Sequence, residues 1–496
     1  MSSRCTERHQ AITAGLTSCS HASRHRFSPS LALGSRYQLH PLLRQYAAER
    51  LREMPAEAEA ATVAGGRYYT DWLCAAFAAN VAGNAAETLA AIQAERDNLR
   101  GLFPAILAHA TGEQLRQALH LIQNVYFASG PDQRDVALLE AAEAHLRSGA
   151  ATPERELVRA HVLTSLGFFA LRQGQIAAAQ AHFKASSTLF AQLGESPRAG
   201  DATDPELGLG MLAMVAGEYQ AAGRYAERVR ARNETSGQRR NQAYAWYLRA
   251  EVALAQGLLP SAHTAARNAL ALAQASGGVW FSPLVRNQLG QIALALGRYD
   301  EAEGHYEASY TTRATFHDAE GMAAALLGLG AVAARRGEHE RAMQQYAKSL
   351  ALYAKTGDRG GTARARLDLG RSLAACGDDL AAWREIQAAL AQARAIDFQH
   401  LMLEALVQAA GVLVASSCLA EATAHLSQVL AHPGSRADTI QQAEVLLTHC
   451  EALLPTSSFT AAVARGREAP LETLVDELLA ASTPGATDPS GERFAE

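Results

Sequence analysis

Seven alanines stand in register along this chain: Ala179, Ala222, Ala262, Ala302, Ala342, Ala382 and Ala422. The first two are 43 residues apart and each later pair is 40 apart. Twelve residues before each lies a second small residue, in the order Gly167, Gly210, Ala250, Gly290, Gly330, Gly370 and Ala410. Five residues before each lies a turn-former: Gly174, Gly217, Gly257, Gly297, Gly337, Gly377 and Ser417. Self-similarity at a fixed period of this size specifies stacked supersecondary units, each packed only on its neighbours.

Each unit reads as helix, tight turn, helix. Residues 283–296 carry apolar side chains at helical spacing, Gly297-Arg298-Tyr299-Asp300 interrupts them, and residues 301–310 resume the period. The turn glycine is suited to a left-handed cap, where a Cβ would be penalised. The two small-residue ladders mark close crossings of helix backbones, which a larger side chain would overpack. Leu166, Leu209, Leu289, Leu329 and Leu369 precede the first ladder and are expected to fill the core beside it. A hydrophobic content of 48% with only 6% aromatic residues reflects abundant alanine, a strong helix former. No run of alternating β-branched residues opposes that reading, so the expected class is all-α.

These spacings resemble the tetratricopeptide repeat: Leu-Gly in a first helix, a turn seven residues on, alanine in a second helix and an aromatic four later. Phe183, Tyr306 and Tyr346 occupy the aromatic position and Trp246 the motif's early tryptophan. The 40-residue period exceeds the usual ~34 and is similar to the longer variant of large bacterial regulators. The resemblance implies a right-handed superhelical solenoid of helix hairpins, with the first helices lining a concave groove. Positions three before and one after the small residue are the candidate groove residues: Tyr247 and Glu251, Asn287 and Gln291, Leu327 and Ala331, Leu367 and Arg371. A protein segment or a small effector is the expected occupant.

The flanks extend the resemblance. The string Tyr37-Gln38-Leu39-His40-Pro41-Leu42-Leu43-Arg44-Gln45-Tyr46-Ala47-Ala48-Glu49-Arg50-Leu51 resembles the last helix of the winged-helix module in signal-transducing ATPases with numerous domains. Ala94-Glu95-Arg96-Asp97-Asn98-Leu99-Arg100 is similar to the opening of their helical arm, and the segment from Phe459 to Leu479 to its terminal helix pair. The resemblance implies the sensor arm of such a transcriptional regulator, of the LuxR or SARP type, working with a separate ATPase and output module. No phosphate-binding loop is present, since none of Lys184, Lys348 and Lys355 follows a glycine. The expected organisation is a disordered or frame-shifted segment over 1–34, a winged-helix remnant over 35–54 and N-terminal hairpins over 55–150. The repeat array of about seven units follows over 151–440, then capping helices over 441–482 and a disordered tail over 483–496.

Other functions find little support. A net charge of −5 supplies no general attraction for nucleic acid, so DNA binding through the winged-helix remnant is the weakest reading and a stand-alone adaptor the stronger alternative. Cys5, His9, Cys19, His21 and His25 lack a Cys-x2-Cys knuckle and read as tail, not as a metal site. The six cysteines have no paired spacing and are expected to be reduced and mostly buried, as in a cytoplasmic protein. No apolar run is long enough for a membrane span. Neither a Gly-x-Ser-x-Gly elbow nor a His-Glu-x-x-His motif occurs, so no enzyme and no cofactor is expected.

Overall fold

A computed structural model describes residues 46, 49–81, 84–129, 133–194, 204–236, 239–276, 281–315 and 317–482. The strings placed at 1–34 and 483–496, and most of the winged-helix string, lie outside them. The described residues are helical throughout, without a strand. The chain divides into two compact units, residues 1–125 with 144–150, and residues 126–143 with 151–496.

In the first unit, α1 (Pro55–Val81) packs on α2 (Ala85–His109). Leu73, Ala76, Phe103 and Ile106 are fully buried there. Gly66 permits the approach, because a Cβ on it would lie 2.7 Å from that of Ala105. The helices α3 (Gly112–Ser129) and α4 (Gln133–Ser148) run across the division between the units.

The second unit is the repeat array. Its hairpins are α5 (Pro153–Arg172) with α6 (Ile176–Leu193), α7 (Pro205–Val215) with α8 (Tyr219–Ser236), and α9 (Arg239–Ala255) with α10 (Leu259–Ala275). They continue as α11 (Phe281–Ala295) with α12 (Tyr299–Thr315), and α13 (Ala319–Arg335) with α14 (His339–Thr356). The last two are α15 (Arg359–Ala375) with α16 (Asp379–Ala395), and α17 (Gln399–Ala415) with α18 (Leu419–Ala431). Three further helices follow, α19 (Ala437–Leu453), α20 (Thr456–Glu468) and α21 (Leu471–Ala480). α20 packs on α18 and α21 on α16. Gln387 Nε2 ties the end of α21 down, donating to the carbonyls of Leu478 and Ala481, both at 2.9 Å.

All seven alanines of the second ladder are fully buried. The first ladder works differently from a simple backbone crossing. A Cβ placed on Gly167 would lie 2.6 Å from the Phe183 ring, on Gly290 2.8 Å from Tyr306, and on Gly330 2.5 Å from Tyr346. In these three hairpins the glycine clears an aromatic ring of the second helix. The rings of Phe183 and Tyr306 are gripped from the next hairpin as well, by Gly208 at 2.3 Å and Gly328 at 2.2 Å on the same measure. Where the first helix carries Ala250 instead, the ring position is taken by the smaller, fully buried Ala266. Size at the two positions is complementary in these four hairpins. Gly210, whose ring position holds the small Ala226, instead clears Leu248 of the next first helix, 2.4 Å from a Cβ placed on the glycine.

The same three hairpins share a buried hydroxyl. Ser186, Ser309 and Ser349 lie seven residues beyond the ladder alanine and are fully buried. Each donates to a carbonyl of the first helix, Ala160 at 2.7 Å, Pro283 at 2.9 Å and Ala323 at 2.8 Å. A side-chain donor satisfied this way crosses between helices without an orphaned polar atom. Of the flanking leucines, Leu166, Leu209 and Leu289 are buried, whereas Leu329 and Leu369 are only partly so.

The turns run through the left-handed region, with φ from 71° to 83° at the six glycines and 67° at Ser417. A side chain in that region costs roughly 1 kcal/mol. Ser417→Gly is therefore expected to raise the chain's stability by about that amount, read as a later urea midpoint; an unchanged or earlier midpoint would contradict it. One expectation needs correcting. Of the four described cysteines only Cys450 is buried, Cys74 and Cys418 are intermediate and Cys376 is exposed. Turn and helix-end positions close no core around the last two.

Candidate functional site

The concave wall follows from which helices touch. Each first helix from α7 to α15 packs on its own partner and also on the next first helix, and α17 packs in the same way on α19. The second helices pack chiefly on first helices. The stack is thus tighter along the first helices, which places them on the inside of the curve.

On that wall Tyr247 is half-buried, its ring edge-on to Phe281 at 5.6 Å, and burial pushes its phenol well above the ordinary range. Gln288 ties the two first helices together. Its Nε2 donates to Glu251 Oε1 at 2.8 Å and to the Tyr247 carbonyl at 2.9 Å. Asn287 is half-buried, and both polar atoms of its amide are covered with no protein partner. Gln291 is exposed and Ala331 half-buried. Leu327 is partly buried among Ala323, Tyr353 and Ala365, and Leu367 lies within the wall at 1% exposure. Positions three before the small residue thus build the wall, while those one after it meet solvent at Gln291 and Arg371.

Arg371 belongs to a charged cluster of which the sequence analysis found one member. Glu404 lies 7% exposed and accepts from Arg364 at 2.6 Å and from Arg371 at 2.7 Å. Arg371 also lies 3.5 Å from the Asp368 carboxylate. With its amide oriented to satisfy both ends, Gln408 accepts from Arg371 at 2.7 and 3.2 Å and donates to the Leu367 carbonyl at 2.8 Å. The arginines, Arg364 foremost, overcome the burial of Glu404 and hold its carboxyl down at about 2. Burial dominates at Asp368 and pushes that carboxyl up, although Arg371 opposes it. Burial likewise keeps the His400 imidazole neutral, far below its ordinary range. The missed members were findable, since Arg364 and Glu404 are one 40-residue period apart, as are Asp368 and Gln408.

Beside the cluster a cleft of about 590 Å³ opens between α15, α17 and α19. Arg371, Gln408, Gln441 and Gln442 give it polar groups, and Val445 and Leu446 an apolar wall. The small residues Ala374, Ala375, Gly411 and Ala415 leave its volume free. Val445 is 67% exposed there, and the Arg371 side chain 45%. Among the described residues no group of three or more histidine, cysteine or acidic side chains could hold a metal ion. No described helix is long and apolar enough to cross a membrane.

The geometry defines a helical-repeat protein whose first helices stack into one continuous inner face. Residues 283–355 match the tetratricopeptide repeat family. No curated protein matches the chain. Among solved structures, a Rap protein complexed with competence and sporulation factor is similar, at 12% identity and a TM-score of 0.47. That match covers 78% of this chain and all of the other. The Cut9-Hcn1 hetero-tetramer of the APC/C is similar at 16% identity and a TM-score of 0.45, over 75% of this chain and 60% of that one. A third is a signal transduction ATPase with numerous domains carrying a tetratricopeptide repeat sensor, from Pyrococcus horikoshii. It is 14% identical with a TM-score of 0.43, over 79% of this chain and 54% of its own. These likenesses concern the fold.

Proposed function

We propose that the second unit is a sensor arm that captures an extended protein segment on its inner face and performs no chemistry of its own. The observation that carries this is the cleft between α15, α17 and α19. It presents an immobilised guanidinium and three glutamine amides over an apolar floor. Such a surface suits a peptide, whose carbonyls accept from Arg371 and the amides while one apolar side chain enters beside Val445. Because Glu404 and Asp368 already neutralise the arginines, selection for an acidic ligand is weak.

The arm would report to an ATPase and output module of a signal-transduction regulator. Support for that finer reading is the resemblance of the flanking strings at 37–51, 94–100 and 459–479, which bracket the array.

Gly411 provides the test, because a Cβ there meets nothing within 4 Å. Gly411→Leu fills the cleft from a helical position, where leaving glycine stabilises by roughly 0.5–1 kcal/mol. Peptides selected from a displayed library on the full chain should lose at least about tenfold in affinity, ~1.4 kcal/mol, for this variant while the melting temperature holds or rises. Undiminished binding would remove the cleft from the site.

A further inference from the structure

Contacts in a helical stack are local by construction, yet in the second unit several join hairpins far apart in sequence. They follow one another in chain order along one edge. A Cβ on Gly174, in the turn of the first hairpin, would lie 2.6 Å from the Ile396 side chain. On Gly217, in the second turn, it would lie 2.4 Å from the Gly434 Cα, and on Gly257, in the third, 2.9 Å from the Ala437 Cβ. The Tyr219 hydroxyl donates to the Gly434 carbonyl at 2.7 Å. At the end of α5, Arg172 pairs with Glu320 and lies in the field of Asp318 and Asp358. Those aspartates cap α13 and α15, accepting from the amides of Gly321 and Gly361, both at 2.9 Å. Arg172 is therefore seated beside two helix N-termini whose positive ends the aspartates offset, with Arg313 already paired to Asp318.

The turns of the first three hairpins thus rest on the loops that begin α13, α15, α17 and α19. We infer that this seam closes one winding of the solenoid onto the next and serves as a latch on access to the inner face. Among the described residues the contacts seen across the seam are two polar links, the glycine approaches and the Ile396 side chain. Within the stack, by contrast, each hairpin shares an apolar core with its neighbour. Opening the seam breaks no hairpin, so it is the least costly cooperative motion of the unit. While it is closed, a chain segment reaches the inner face only from the ends of the coil. The latch is independent of what the cleft binds.

A lock can be built at the third contact. Gly257→Cys with Ala437→Cys places Cβ atoms 2.9 Å apart before relaxation, near the ~3.8 Å of a disulfide. Ser417 shows that a side chain is accommodated at this turn position. Gln291→Cys, exposed on the inner face, reports access through labelling by a small maleimide and by a polymer-linked one, with residue 291 followed by peptide mapping. In the oxidised full-length chain, polymer labelling should slow at least about tenfold, the population change given by ~1.4 kcal/mol, while small-reagent labelling stays constant and reduction restores the polymer rate. Arg172→Glu with Tyr219→Phe, tested separately, should speed polymer labelling and enlarge the radius of gyration at constant helix content. Failure of the 257–437 link to form would overturn the closed seam. Equal polymer labelling in locked and unlocked chains would overturn the latch, whatever the outcome at Gly411.

Discussion

Tyr306→Ala is expected to cost about 4 kcal/mol, the range for removing a fully packed aromatic side chain. The ring is 4% exposed and fills space that Gly290 and Gly328 vacate on two successive first helices. Neither glycine lies in a turn or has a positive φ, so collapse would require two helices to shift along the stack. Stability in such arrays is a sum of unit and interface terms, so the loss should appear first as faster amide exchange in α11 to α13. A double-mutant cycle gives the sharper test. Gly290→Ala alone puts a Cβ 2.8 Å from the ring and should destabilise. In the Tyr306→Ala background the same change meets a void and should be neutral or favourable. Additive effects would show that ring and glycine do not share that space.

The hairpins and their turns were legible in the sequence because a 40-residue period repeats the same local physics at each unit. Gly297 and Gly337 could be assigned a left-handed turn from position alone, and Ser417 by its register with them. What the glycines of the first ladder clear was not legible. A backbone crossing and an aromatic ring both demand a small residue, and only the folded packing separates them. The serines at 186, 309 and 349 keep the register but alternate with valine and alanine in other units, which hides them. For the candidate site, Arg371 was found by counting from the small residue, while Arg364 and Glu404 required comparing the same position in successive units. Leu367 lies inside the wall because neighbouring first helices stack on that face. The seam was beyond reach altogether, since residues 219 and 434 meet only through the pitch of the superhelix.

Glu404→Gln tests the cluster as a structural device. The carboxylate binds two guanidiniums across α15 and α17, and removing one member of a buried ionic group leaves the others uncompensated, typically at 3–5 kcal/mol. Arg371 is 45% exposed and Arg364 26% exposed, so water screens part of that loss and about 2 kcal/mol is the expected cost at neutral pH. The pH dependence identifies the cause. The Glu404 carboxyl falls from an ordinary 4.5 to about 2 in the folded chain. Its contribution is therefore complete above about 4.5 and is lost as the pH falls toward 2. The stability gap between the native chain and the variant should follow the same course, wide at neutral pH and closing in acid. Asp368, its carboxyl pushed up by burial and also by the neighbouring Glu404 charge, acts in the opposite sense; the variant relieves that second push, which trims the gap at neutral pH but leaves it closing in acid. Burial lowers the His400 pKa and Glu404 opposes that, so the loss of stability from His400, which begins as the pH drops below 6.5, is larger in the variant and is read apart from the closing below about 4.5. Urea midpoints across this range would decide the matter. A gap that stays constant with pH would mean that Glu404 acts through its shape and hydrogen bonds, and that its charge contributes nothing to joining the two helices.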